Sequence, residues 1–147
     1  MIKDILNAFR AQKIPKLDKD DARIALAALM VRIARTDGDY AQIEIATIDA
    51  ILSKRFNLDA DKALALRKQA EELEVNAPDN VRFTRVIKEA VPDEDRAGVV
   101  EALWSVVLSD GRRDDDENGF MRLVASLLGV NDRDSAFARQ RALKAAS

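Results

Sequence analysis

The chain has 147 residues, of which 48% are hydrophobic and 34% are charged, and its formal net charge is −2. These values predict one soluble globular domain over residues 1–147, and they disfavour nucleic acid as a partner because no net positive charge attracts phosphates. Cysteine and histidine are both absent, which excludes disulfides, thiol catalysis, Ser-His-Asp catalysis and most zinc sites. Any bound metal must therefore be a hard cation with oxygen ligands, such as Ca²⁺ or Mg²⁺.

The first residues form an amphipathic segment. Ile2, Ile5, Leu6 and Phe9 recur at helical spacing among basic residues, and Pro15 ends the segment. We expect this stripe to dock on the chain's own helices, with peripheral contact to an anionic membrane as the alternative. The segment lacks the continuous apolar core of a signal peptide, and no apolar run in the sequence is long enough to span a membrane, so we expect a cytoplasmic protein.

Two later segments are apolar on almost every side of a helix. They cover residues 22–34 (ARIALAALMVRIA) and residues 99–108 (VVEALWSVVL). Helices of this composition must be central, so Trp104 is predicted to be a core residue. Because no segment shows the period-two alternation of a strand, the sequence predicts an all-α fold, a compact bundle of about seven or eight helices.

Amphipathic helices are predicted between and after these two runs. Asp59 is a candidate N-terminal cap for one of them, and Asn131 or Asp132 for the last. Gly129 is suited to the left-handed conformation that ends many helices. In the segment RFTRVIKEAV, Phe83 is predicted to be a core residue. The helix after the first acidic turn is predicted to face inward with Ile43, Ile48, Ile51, Leu52 and Phe56.

Both central runs belong to an internal repeat. A shift of 73 residues places the Asp-Gly pair at 37–38 on the pair at 110–111, and it places Glu44 on Glu117. Each unit consists of a buried helix, an Asp-Gly turn, an amphipathic helix and a short apolar-polar-apolar turn. Two such helical hairpins can bury their stripes against each other, which predicts a bundle with approximate two-fold symmetry. The two units cover about residues 21–58 and 94–130.

The order of these elements resembles a known family. The motifs that carry the resemblance are ALAALMVRIARTDGDYAQIE, then RFTRVIKEA, then EALWSVVLSDGRRDDDE followed by LLGVND, and together they span about residues 17–138. In these motifs the chain is similar to the TerB-like (tellurite resistance protein B-like) proteins. The resemblance implies an all-α fold and a role in stress or metal-ion response, with divalent cations as the ligands expected at the acidic turns.

The two acidic turns admit two interpretations from the residues alone. Carboxylates at the start of a helix cap its N–H groups and favour its positive end, and glycine supplies the left-handed conformation at a helix C-terminus. The same carboxylates are also suitable ligands for a hard cation, which takes several oxygens from a tight turn. The candidate metal ligands are Asp37, Asp39 and Glu44 in the first turn and Asp110, Asp114 and Glu117 in the second.

The first half of each turn excludes an EF-hand. Gly38 and Glu44 fit the glycine and glutamate positions of that loop, but its first ligand would be Ile33, which has no ligand oxygen. The second turn also contains Arg112 and Arg113, whose positive charges repel a cation. The first turn is therefore the stronger candidate if only one of them binds.

Three functions remain open from the sequence. The first is a non-enzymatic binding or scaffold module that holds a divalent cation, or a protein partner, at the acidic turns. The second is a metal-dependent hydrolase that uses the same carboxylates, since two-metal sites can be built from carboxylates. The third is a ligand-free adaptor that interacts with other proteins and whose turns are only helix caps. We favour the first, because the sequence shows no phosphate-binding loop and no pattern of an activated nucleophile.

Overall fold

The computed structural model describes residues 6, 19–35, 42–76, 79–110 and 115–146. This part of the chain contains seven α-helices and no strand, which confirms the predicted all-α fold. The helices are α1 (Lys19–Arg35), α2 (Gln42–Phe56), α3 (Ala60–Asn76), α4 (Asn80–Ala90), α5 (Asp93–Val107), α6 (Asp115–Leu127) and α7 (Asp132–Ala146). A 3₁₀ turn, Leu108–Asp110, follows α5.

Helices α1 and α5 form the centre of the core, as their composition predicts. Residues 24–31 of α1 are all buried, and α1 contacts α2, α3, α4, α5 and α6. In α5, Trp104 is buried and its indole Nε1 donates a 3.1 Å hydrogen bond to the hydroxyl of Ser135 on α7. This bond satisfies the polar edge of the ring, so Trp104 is the core residue that the sequence predicts.

The helices are arranged as two three-helix units joined by α4. In each unit the first and third helices pack along each other, α1 with α3 and α5 with α7, and these two contacts are the most extensive in the fold. The internal repeat thus extends beyond a pair of helices. Each acidic turn leads from the first helix of its unit into the second.

Both units end their second helix with the same kind of turn. Asn57 and Gly129 adopt left-handed backbone angles, with φ 53° and φ 81° respectively. The amide of the following residue then donates to the carbonyl five residues earlier, over 2.9 Å at Leu58 and over 2.8 Å at Val130. This pattern of a left-handed residue and a closing amide satisfies carbonyls at the end of the helix.

The third helix of each unit starts with a side-chain cap. Oδ1 of Asp59 accepts a hydrogen bond from the amide of Lys62, and Oδ1 of Asn131 accepts one from the amide of Asp134, each over 2.8 Å. These bonds satisfy amides that have no partner within the helix. Both predicted caps are confirmed, and Asn131 is the residue that caps α7.

Helix α4 crosses between the units and packs against α1 and α6. Its apolar stripe is directed into the core, where Phe83, Val86 and Ile87 are buried. The guanidinium carbon of Arg32 on α1 lies 4.8 Å from the centre of the Phe83 ring, which is a cation–π contact. The predicted core role of Phe83 is therefore confirmed.

The burial of Leu6 and of Ile43 can be compared with what the sequence predicts for each of them. Leu6 is helical and packs against the core. The other residues of the N-terminal stripe, Ile2, Ile5 and Phe9, lie outside the described residues, so the docking of the stripe stays a prediction. Ile43 was predicted to face inward, and this prediction is wrong, because 51% of its surface is exposed. It lies in the first turn of α2, at the end of the bundle, where it borders a cleft. None of the described helices is long and apolar enough to cross a membrane.

Candidate cation site at the acidic turns

The predicted metal ligands fall partly within and partly outside the described chain. Those outside it are Asp37, Asp39 and Asp114. Asp110 is the last residue of the 3₁₀ turn and Glu117 is the third residue of α6, but only their backbone positions are described. Glu44 is thus the predicted ligand whose side chain can be placed.

Glu44 is buried in the first turn of α2, with 3% of its surface exposed. Glutamate is rarely buried to this extent unless its charge is compensated. The position at the start of α2 places the side chain near the positive end of the helix dipole. Glu44 is the third residue of α2, as Glu117 is of α6, so the two units carry a glutamate at the same place in their second helices.

Residues at the borders of the two acidic turns line one cleft. Ile43 follows the first turn along the chain, and Ser109 lies in the 3₁₀ turn where the second begins. Both line a cleft of about 340 Å³ between α2, the end of α5 and α7. Helix α2 and the 3₁₀ turn are also in contact. The fold therefore brings these borders of the two turns to the same end of the molecule.

The walls of the cleft are formed by small, hydroxyl-bearing and apolar side chains. The hydroxyl of Thr47 donates to the carbonyl of Ile43 over 2.8 Å, and the hydroxyl of Ser109 donates to the carbonyl of Val106 over 2.7 Å. Because these hydroxyls are bonded to their own helices, the walls offer mainly apolar contact. The other lining residues are Ser105, Leu108, Ala142 and Ala145.

Two arginines at the end of α1 come just before the first acidic turn. Nη1 of Arg35 lies 3.0 Å from one carboxylate oxygen of Glu74, and Nε of Arg32 lies 3.5 Å from the other. Arg32 also donates to the backbone carbonyl of Glu74 over 3.2 Å. The Glu74 carboxylate thus offsets positive charge that would repel a cation from the neighbouring turn. Sequence reasoning missed this group, because Glu74 is 39 and 42 residues away from the arginines and no local pattern connects them.

The described side chains do not by themselves complete a metal site. Among them, no group of three or more carboxylates is close enough to hold a metal ion. A metal site with three or more carboxylates therefore requires side chains beyond the described ones. The aspartates of the two acidic turns are the candidates in the sequence.

The described helices define a class of all-α protein built from two similar three-helix units, each with an acidic turn after its first helix. The family model of the tellurite resistance protein TerB matches residues 23–140. The match runs from α1 to α7 and includes both acidic turns, so the chain belongs to the TerB family. No curated protein and no solved structure matches the chain.

Proposed function

We propose that this TerB-family protein is a non-enzymatic binding module whose acidic turns hold a divalent cation, Ca²⁺ or Mg²⁺, in the response to stress or metal ions. The observation that carries the proposal is the cleft lined by both Ile43 and Ser109, at the borders of the two turns. A calcium ion takes about six to eight oxygen ligands, more than the side chains of one turn supply. Two turns whose bordering residues lie at one end of the molecule can supply a larger set than either turn alone.

The position of Glu44 supports a site with preorganised ligands. A buried side chain has already lost its conformational freedom on folding, so holding it in place costs little when a ligand binds. The proposed ligands are Asp37, Asp39 and Glu44 from the first turn and Asp110, Asp114 and Glu117 from the second. The pairing of Glu74 with Arg32 and Arg35 supports the first turn as the stronger contributor, because it reduces the positive charge beside that turn.

A ligand-free adaptor is the second candidate, and the capping geometry favours it. Asp59 and Asn131 show that this chain uses side-chain oxygens to start helices α3 and α7. The carboxylates before α2 and α6 are suited to the same use. In this case the acidic end of the molecule would contact a partner protein and would bind no metal.

Thermal unfolding distinguishes the two candidates. A ligand that binds only the folded state raises the unfolding midpoint, and at about 100 times its Kd it adds about 2.7 kcal/mol of stability. For a domain of this size that corresponds to roughly 5–10 °C. We expect Ca²⁺, Mg²⁺ or Mn²⁺ to produce such a shift relative to EDTA in the wild type, and we expect the shift to be lost in Asp37→Ala/Glu44→Ala. Glu89→Gln removes an exposed carboxylate of α4 and should leave the shift unchanged.

Two outcomes would contradict the proposed function. If millimolar concentrations of these cations leave the wild-type midpoint unchanged, the turns are caps and the adaptor is the better account. If the protein hydrolyses a generic phosphodiester with Mn²⁺ or Mg²⁺ and Asp37→Ala loses that activity, the same carboxylates serve a hydrolase and the module is not a passive binder.

A further inference from the structure

A separate groove of about 220 Å³ lies between the start of α1 and helix α3. Four apolar residues line it, and they are Ile24, Leu58, Ala65 and Leu66. The polar side chains in its walls are those of Arg23, Lys62 and Gln69. The first acidic turn follows the other end of α1, roughly 15 Å further along the helix axis. This groove is therefore distinct from the proposed cation site.

Arg23 brings to the groove a positive charge that no carboxylate of the described residues neutralises. Its guanidinium carbon lies 4.8 Å from the centre of the Phe56 ring, whereas Arg32 and Arg35 of the same helix pair with Glu74. The Nε atom of Arg23 is buried and has no hydrogen-bond partner in the described part of the chain. A buried donor without an acceptor is costly, so this guanidinium favours a ligand that supplies acceptor oxygens.

Lys62 adds a second positive charge, on the α3 wall of the groove. Its backbone amide donates to the Asp59 cap, but its ammonium forms no ion pair with the acidic residues that the structure describes. Arginine and lysine side chains only donate hydrogen bonds, and Gln69 supplies the one side-chain carbonyl in the groove. The described residues that line the groove include no aspartate or glutamate. The groove thus combines an apolar floor with cationic donors.

We propose that this groove binds a small aliphatic carboxylate, whose head group lies beside Arg23 and Lys62 and whose alkyl chain covers the apolar floor. An ionised carboxylate only accepts hydrogen bonds, so it complements these donors. A peptide segment is a poorer occupant, because its backbone N–H groups need acceptors and the lining side chains offer only Gln69. The volume of about 220 Å³ is below the roughly 300–1,000 Å³ of sites for drug-sized ligands, which favours a short chain.

Octanoate is the probe for this site, and it is titrated into the isotope-labelled full chain while the amide chemical shifts are followed by NMR. We expect saturable shifts centred on the amides of Lys62, Ala65 and Leu66. Octanol has the same chain without the charge, and acetate has the same head group without the chain. Because binding needs both parts, octanoate should bind at least about tenfold more tightly than either. The protein is first freed of divalent cations on a chelating resin.

Charge variants locate the head group. Arg23→Gln should weaken octanoate binding at least about tenfold, because the guanidinium offers two parallel donors to a carboxylate. Lys62→Gln removes an exposed charge, so a loss of about two- to fivefold is expected. Lys68→Gln is the matched control, since Lys68 is an exposed lysine of the same helix that does not line the groove. It should bind octanoate like the wild type.

Ala65→Leu tests the position of the alkyl chain without changing either charge. Ala65 is exposed in the wall of the groove, so a leucine there occupies the space of the ligand and should weaken octanoate binding at least about tenfold. Ala136→Leu, at an exposed alanine of α7, should have no effect.

The proposal is overturned if octanoate gives no saturable shifts, if the shifts centre outside the groove, or if octanol or acetate binds as tightly as octanoate. It is also overturned if Lys62→Gln and Ala65→Leu both bind octanoate like the wild type, and this criterion holds even if Arg23→Gln does not fold. The titration contains no divalent cation, so its outcome is independent of whether the acidic turns bind a metal.

Discussion

The two three-helix units share a backbone and differ at the end that carries the acidic turn. In the first unit, Arg32 and Arg35 at the end of α1 are paired with Glu74 on α3. In the second unit the corresponding positions are Ser105 and Leu108, which line the cleft. At this end, the first unit joins its first and third helices through charged side chains, whereas the second unit has an apolar recess at the corresponding place.

The repeated residues determine where the helices end, whereas residues that are not repeated determine the side-chain chemistry beside each acidic turn. The left-handed residues Asn57 and Gly129 and the caps Asp59 and Asn131 give the two units the same helix ends. A few residues with suitable conformational preferences are enough for that purpose. The chemistry at the turn-bearing end depends on the side chains before each turn, and these are not repeated. One architecture therefore presents two different surfaces.

The largest expected effect on stability concerns Phe83, which packs α4 against α1 of the first unit. Phe83→Ala removes a fully buried ring beneath Arg32, and such truncations cost about 3–5 kcal/mol. Val81→Ala changes an exposed residue of the same helix and should alter stability by no more than about 0.5 kcal/mol. Urea unfolding of both variants measures the difference. A similar loss of stability in Phe83→Ala and Val81→Ala would mean that α4 is not anchored to α1 through Phe83.

The next prediction compares the ion pairs that join the first and third helices of each unit. Glu74→Gln removes a carboxylate that is 12% exposed and serves two arginines, so we expect a loss of about 1–3 kcal/mol. Glu101→Gln breaks the pair with Arg141, whose side chains are 35% and 50% exposed, and should cost less than about 1 kcal/mol. Unfolding at low and high salt provides the measurement, because salt screens the exposed pair more strongly. Equal losses of stability in Glu74→Gln and Glu101→Gln would contradict the expected difference between the ion pairs of the two units.

The smallest expected effect compares the two left-handed turns. Gly129→Ala places a side chain at φ 81°, which costs about 1–2 kcal/mol for a residue other than glycine. The added Cβ would lie 3.3 Å from the flexible end of Lys88, so the backbone is the main source of strain. Asn57→Gly, at φ 53°, should change stability by less than about 0.5 kcal/mol. Thermal unfolding of both variants checks this, and a neutral Gly129→Ala would contradict the shared turn geometry.

Most of the fold follows from local patterns in the sequence. The apolar composition of α1 and α5 places them at the centre, since a helix without a polar face has no side to present to water. Asp59 and Gly129 mark helix ends because capping and left-handed backbone depend on the chemistry of one or two residues. These features need no knowledge of distant contacts, which is why the sequence alone predicts them.

The arrangement of the candidate site follows only from the way the units pack. The sequence left open whether the two acidic turns lie together, because either orientation of a symmetry axis satisfies the same pattern. The cleft shared by Ile43 and Ser109 depends on the contact of α2 with the 3₁₀ turn, and these two elements are more than 50 residues apart in the chain. The inward prediction for Ile43 was wrong for the same reason, since helical spacing does not reveal where a bundle ends.

Calorimetric titration of the full chain with Ca²⁺, Mg²⁺ and Mn²⁺ tests the central claim most directly. The comparison uses the wild type, Asp37→Asn, Asp110→Asn and the control Glu89→Gln. If the two turns form a shared site, either turn variant should weaken cation binding by at least about tenfold, which is 1.4 kcal/mol, and the control should bind like the wild type. Absence of binding by all three cations, or loss of binding in neither turn variant, would contradict the account.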